Sequence, residues 1–140
     1  MPLARAAAQD GTPDHSVRTI LLVEDDVLVR TTVAEVLRDA GYHVIEAVDA
    51  AEAKVVLGSD AAVELVFSDL QMPNESGAAL ARWIVGEHPR VAVLLGSGFA
   101  DPSATAGLPA DIPVLQKPYD ITHVLARIAD LFRRRKPDGQ

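Results

Sequence analysis

Five short apolar runs are separated by stretches in which apolar residues recur every three or four positions. The first run, 19–23 (TILLV), is apolar after Thr19 and stops at Glu24-Asp25-Asp26. A run without polar positions predicts a strand covered on both faces, as in a parallel sheet. Helical spacing follows, with Val29, Val33, Val36, Leu37 and Ala40 on one face and Gly41 closing the helix. A second strand is expected at 43–47 (HVIEA). Asp49 then caps a helix that turns Ala53, Val56 and Leu57 inward and ends near Gly58. The third strand, 64–68 (ELVFS), runs into Asp69 and the turn-rich loop LQMPNESG. Ser76 or Gly77 opens a helix with Leu80, Trp83 and Ile84 on its apolar face, ending before Pro89. A fourth strand is predicted at 91–95 (VAVLL). Asp101-Pro102 starts a short helix in a region broken by Gly107, Pro109 and Pro113. The fifth strand is expected at 112–116. Asp120 caps a last helix that buries Ile121, Val124, Leu125, Ile128, Leu131 and Phe132.

Strand and helix alternate five times, with short connections. This predicts an α/β fold: a doubly wound, five-stranded parallel sheet, (βα)5, in the flavodoxin-like order 2-1-3-4-5. Residues 1–18 mix Ala, Pro, Gly, Asp and Arg without period and are expected to be a disordered leader. The domain is expected over 19–133, with a basic and polar tail at 134–140.

Composition narrows the function classes. The chain has 140 residues, enough for one domain. Its net charge of −7 argues against a nucleic-acid surface, and the RRRK run at 133–136 reads as a solvated helix end. There are no cysteines, which removes disulfides, thiolate metal sites and Cys nucleophiles. The four histidines, His15, His43, His88 and His123, are scattered without metal-ligand spacing. No apolar run approaches the ~20 residues of a membrane span, and the N-terminus lacks a signal-peptide core. A cytoplasmic location without membrane contact is the default expectation.

In the predicted strand order, Glu24-Asp25-Asp26 and Asp69 end neighbouring strands, about 4.8 Å apart. Carboxylates brought together raise one another's pKa unless a cation is present. Mg²⁺ suits such a site, because it binds one or two carboxylates and accepts phosphate oxygens as further ligands. Lys117-Pro118, at the end of the fifth strand, can direct an ammonium to the same crevice, and a cis bond there would aim it inward. Each feature alone has a plain structural reading: Asp25 or Asp26 as a helix cap, Asp69 as a turn residue. Their convergence at three strand ends favours phosphoryl chemistry.

The blocks VEDD at 23–26, FSDLQMPNESG at 67–77, LLGSGFA at 94–100 and LQKPYD at 115–120 resemble the receiver domains of two-component response regulators. The resemblance covers about residues 19–133. It implies that Asp69 is the phosphoacceptor and that Mg²⁺ is held by Asp25, by Glu24 through water, by Asp69 and by the carbonyl of Gln71. It also implies that Lys117 contacts the phosphoryl group and that Asp26 caps the first helix. The implied donor is a phosphohistidine on a histidine kinase or histidine phosphotransfer protein. The implied docking face is the first helix with the loop after the fifth strand. A stand-alone, single-domain regulator is expected, a monomer or weak homodimer that is not a turnover enzyme.

Two positions depart from that family. The Thr or Ser that ends the fourth strand aligns with Gly96, leaving Ser97 or its backbone N–H as the substitute. The strand-5 aromatic that swings with that hydroxyl aligns with Val114. Phe99 is either a packing residue or the aromatic of a subgroup that carries it after strand 4. These departures motivate a second reading, a phosphorylation-independent interaction module. A third, a phosphatase of the haloacid-dehalogenase kind, needs an acid two residues after the nucleophile, where this chain has Gln71.

Overall fold

The computed structural model describes residues 17–98, 105 and 107–134. The elements in chain order are β1 (Thr19–Val23), α1 (Val27–Asp39), β2 (His43–Ala47), α2 (Ala50–Leu57), β3 (Leu65–Asp69), α3 (Gly77–Glu87), β4 (Ala92–Ser97), β5 (Val114–Gln116) and α4 (Ile121–Arg134). The five strands form one parallel sheet in the order β2-β1-β3-β4-β5, as the alternating pattern predicts. Residues 1–16 of the expected leader, Phe99, the expected helix start at Asp101-Pro102 and the tail from 135 lie outside the described residues. Arg18, assigned to the leader, already belongs to the fold. Its carbonyl accepts from the His43 N–H at 2.9 Å, and its guanidinium lies 4.9 Å from the Phe132 ring centroid.

Alternation along the strands divides the interior into two cores. Ile20, Leu22, Leu65, Phe67, Ala92 and Leu94 face one side, where α1 supplies Val33, Ala34 and Leu37 and α4 supplies Val124, Ile128, Leu131 and Phe132. Leu21, Val23, Val66, Val93 and Leu95 face the other, against α2 and α3. Consecutive side chains in a strand point to opposite faces. This is why the apolar runs are unbroken: both faces are covered.

Element ends differ from the sequence pattern for local reasons. The third and fourth strands are displaced toward their C-termini, to Leu65–Asp69 and Ala92–Ser97, so Asp69 and Ser97 lie within strands. The fifth strand begins at Val114, because Pro113 has no N–H to give a sheet. Ala40, expected inside, is the exposed C-cap of α1, and Gly41 follows with φ +104. Trp83 is half-buried, 5.3 Å from the His88 ring and 5.2 Å from the Lys54 ammonium, so it borders its core.

Candidate phosphoacceptor site

Register builds the site. Asp69 pairs with Gly96, and Gly96 with Leu115, across β3, β4 and β5. Val23 pairs with Ser68, so the next step places Glu24 beside Asp69. Glu24, Asp69 and Gly96 thus continue the α1/α4 face at the carboxyl ends of their strands, where ligands of open α/β sheets bind.

The expected carboxylates converge. Ligand oxygens of Glu24, Asp25 and Asp69 all lie within 4.8 Å of one another. Glu24 is 3% and Asp69 6% exposed, while Asp25 faces solvent. The Lys117 ammonium bridges them, 3.2 Å from Glu24 Oε1 and 3.1 Å from Asp69 Oδ2. The Lys117-Pro118 bond is cis, as the Lys-Pro pair suggests. Asp26 is the α1 N-cap, accepting from the N–H groups of Leu28 at 2.9 Å and Val29 at 3.2 Å.

Electrostatics reflect crowding. Burial pushes the Glu24 carboxyl above its ordinary value and repulsion from Asp69 adds to this, although the Asp26 N–H and Lys117 pull the other way. For Lys117 burial works downward, but hydrogen bonds and attraction to Asp69 and Glu24 more than offset it and hold the ammonium above its ordinary value. Three carboxylates facing one ammonium leave two negative charges uncompensated within this group. The donors are all hard oxygens. A divalent cation such as Mg²⁺ fits both the charge and the ligand type.

Three expected residues play different parts from one another. Gln71 reaches the site through its N–H, 3.4 Å from Asp69 Oδ1, and its side-chain amide contacts Ser97 Oγ at 3.5 Å and the Gly98 N–H at 3.4 Å. Ser97 is buried, and its position follows Val93 and Leu95 on the α2/α3 face. Its hydroxyl lies 3.5 Å from the side-chain amide of Gln71, whose own N–H approaches Asp69 Oδ1. Gly96 is covered by Tyr119, because a Cβ at Gly96 would collide with the Tyr119 hydroxyl and sit 2.6 Å from its Cζ.

Two residues had no functional reading in the sequence. Tyr119 is one. Its signal was a phenol two residues beyond the lysine, combined with a strand residue that has no side chain to fill the same space. Gly77 is the other. A Cβ there would collide with the Asp69 carbonyl oxygen and sit 2.8 Å from the Leu70 Cα, so only glycine lets α3 start against the main chain that carries Asp69. The Gly77 N–H donates to the Leu70 carbonyl at 2.8 Å and pins that loop.

Comparison with known proteins gives one consistent family. The model of the response regulator receiver domain matches residues 20–129. Sensor kinase CckA of Brucella abortus (strain 2308) is 32% identical over 83% of this chain and 13% of the kinase. Response regulator MprA of Mycobacterium tuberculosis is 36% identical over 88% of this chain and 54% of the regulator. Transcriptional regulatory protein GltR of Pseudomonas aeruginosa is 35% identical over 84% of this chain and 50% of the regulator. The chain thus spans about half the length of these regulators and a small part of the kinase. Among solved structures, a response regulator receiver protein from Sinorhizobium medicae WSM419 superposes with a TM-score of 0.80 at 25% identity, over 88% of this chain and all of that one. The receiver domain of the hybrid histidine kinase CckA gives 0.67 at 31% identity, over 81% of this chain and 97% of that one.

Proposed function

The chain belongs to the response regulator receiver family of two-component signalling, and from that premise we propose that it accepts a phosphoryl group on Asp69 in a Mg²⁺-assisted reaction. The observation that carries this is the buried Asp69 carboxylate, held between the Lys117 ammonium and the Glu24-Asp25 pair. Glu24, Asp25 and Asp69 would hold the cation, which supplies positive charge to the phosphoryl oxygens when bound.

The donor is a phosphohistidine on a histidine kinase or histidine phosphotransfer protein. An Asp69 oxygen attacks phosphorus while the P–N bond breaks. The imidazole nitrogen leaves with the electron pair and takes a proton. The product is an acyl phosphate on Asp69. Lys117 exchanges its carboxylate partner for a phosphoryl oxygen and keeps its charge satisfied. The phosphorylated chain later loses its phosphoryl group to water, so it is a signalling intermediate and not a turnover enzyme.

A docking surface adjoins the site. An open groove of about 620 Å³ runs between the start of α1 and the 117–121 segment, lined by Leu28, Val29, Thr32, Pro118 and Ile121. Leu28 stands exposed at its rim. An apolar rim beside a buried phosphoacceptor suits a partner helix that presents a histidine. Among the described residues no helix is long and apolar enough to cross a membrane.

Incubation with acetyl phosphate and Mg²⁺ tests the proposal. One phosphoryl adduct is expected by intact mass and none in Asp69→Asn. Absence of an adduct in the wild-type chain, with partner affinity unaltered by Asp69→Asn, would instead favour phosphorylation-independent docking. That second reading draws on Gly96 and on the exposed Val114, which leave the two positions of the family's usual readout without a hydroxyl and an aromatic.

A further inference from the structure

Arg30 stands at the end of a helix where a cation is disfavoured. It closes the first turn of α1, whose positive dipole end favours negative charge, and apart from the Asp26 cap no acidic residue lies in that turn. Its side chain is nevertheless largely buried, 15% exposed. The guanidinium forks. Nη1 donates to the Glu24 carbonyl at 2.9 Å, and Nε donates to Glu46 Oε1 at 3.1 Å. The other Glu46 oxygen accepts from Arg38 Nη1 at 3.1 Å, and Arg38 Nη2 donates to the Val44 carbonyl at 2.8 Å. Arg30 is thus fixed by β2 on one side and holds the main chain of the acidic crevice on the other.

The Glu24 carbonyl belongs to the peptide unit that joins Glu24 to Asp25. That unit is planar, so holding its oxygen also sets the direction of the Asp25 N–H and the place of the Asp25 Cα. The Glu24 N–H is held as well, by the Ala47 carbonyl at 3.0 Å. β2 therefore secures both polar main-chain groups of Glu24, one directly through Ala47 and one through the Glu46–Arg30 pair. The two acidic side chains on this peptide differ in their support. The Glu24 carboxylate has its own anchors, the Asp26 N–H at 3.0 Å and the Lys117 ammonium at 3.2 Å. The Asp25 carboxylate is exposed and, among the described residues, makes no hydrogen bond or ion pair. It depends on the main chain to keep its oxygen within 4.8 Å of those of Glu24 and Asp69.

We infer that Arg30 is a positioning residue of the cation site: through the Glu24 carbonyl it orients the peptide that carries Glu24 and Asp25, and so presents the Asp25 carboxylate to Mg²⁺ beside Asp69. The inference rests on the reading of this crevice as a Mg²⁺ site. Arg30 acts through Glu24 and is no ligand itself, because a guanidinium has no acceptor to offer a cation. Its effect falls on affinity, since a ligand already aimed loses less freedom on binding.

Isothermal titration of the full chain with Mg²⁺ tests this. Arg30→Met keeps the apolar stem and removes the donors. It should bind Mg²⁺ about tenfold to a hundredfold more weakly, the usual effect of removing a contact that orients a metal ligand. At saturating Mg²⁺ its acetyl phosphate adduct should form within a few-fold of the wild-type rate, because Asp69 and Lys117 are untouched. Arg38→Met is the control. It breaks the same Glu46 cluster without reaching Glu24, so its Mg²⁺ affinity should stay at the wild-type value. Arg30→Lys keeps the charge and a donor but cannot fork between two acceptors. Its affinity should fall several-fold, and it carries the test if Arg30→Met does not melt cooperatively. A wild-type chain that binds no Mg²⁺ overturns the cation-site reading and this inference with it. Normal wild-type binding with unchanged affinity in Arg30→Met, or in Arg30→Lys where only that variant folds, overturns this inference alone. An equal loss of affinity in Arg38→Met does the same, since it would trace the effect to a general loosening between α1 and β2.

Discussion

Gly77→Ala is the sharpest test of how the fold carries Asp69. The added methyl would meet three main-chain atoms: the Asp69 carbonyl oxygen, the Leu70 Cα at 2.8 Å and the Asp69 carbonyl carbon at 3.0 Å. None of these can rotate away, because the Leu70 N–H is bonded to the Gly96 carbonyl at 2.7 Å and the Leu70 carbonyl accepts from Gly77 at 2.8 Å. Relief requires a shift of α3 or of the loop after Asp69. Overpacking of this kind costs about 1–3 kcal/mol. Gly86→Ala provides the control within the same helix. A Cβ there meets nothing within 4 Å, so the exchange should stabilise by up to about 1 kcal/mol through helix propensity. Urea denaturation followed by circular dichroism measures both. With a slope of about 1–3 kcal/mol/M, a cost of about 2 kcal/mol lowers the Gly77→Ala midpoint by roughly 1 M, and the Gly86→Ala midpoint should rise. A Gly77→Ala midpoint equal to or above that of Gly86→Ala would refute the close approach of α3 to Asp69.

Further predictions follow from the same geometry. Mg²⁺ at about 100 times its dissociation constant should add about 2.7 kcal/mol to stability; Asp25→Asn should remove most of that rise in thermal melts while barely changing the metal-free midpoint, since Asp25 is exposed. Glu24, raised above its ordinary 4.5 chiefly by burial, favours the fold while protonated. That contribution is whole below pH 4.5 and is lost as pH rises through the folded value. Denaturant midpoints of the Mg²⁺-free chain should therefore decline over that window in wild type and decline less in Glu24→Gln; equal slopes would contradict burial as the main cause. Leu28 is 75% exposed, so Leu28→Glu should change stability by no more than ~0.5 kcal/mol. It should slow transfer from a phosphohistidine protein while leaving the acetyl phosphate rate unchanged, and a slowed acetyl phosphate rate would show that Leu28 acts on the site itself.

Much of this was legible in one sequence because it depends on local pattern. Unbroken apolar runs such as TILLV require cover on both faces, and helical spacing between them supplies it. Alternation of the two dictates a parallel sheet, and the sheet dictates that Glu24-Asp25, Asp69 and Lys117 meet at one edge. Caps were equally local: Asp26, Asp49, Ser76 and Asp120 accept from N–H groups two or three residues on. Limits of strands were less legible, since pairing partners and Pro113 set them.

What the sequence by itself determined, then, is the order of elements, the two covered faces and the acidic crevice with its lysine. All of these follow from periodicity and from the fixed place of strand ends in such a sheet. Only the tertiary structure decided how position 96 is filled. Ser97 comes to lie beside Gln71, and the space above Gly96 passes to Tyr119, 23 residues later in the chain. It also decided that Gly77 must lack a side chain, because the main chain it touches belongs to the strand that carries Asp69. Both are contacts between segments whose spacing carries no period. They arise from excluded volume at a packed junction, which is visible only when the segments are brought together.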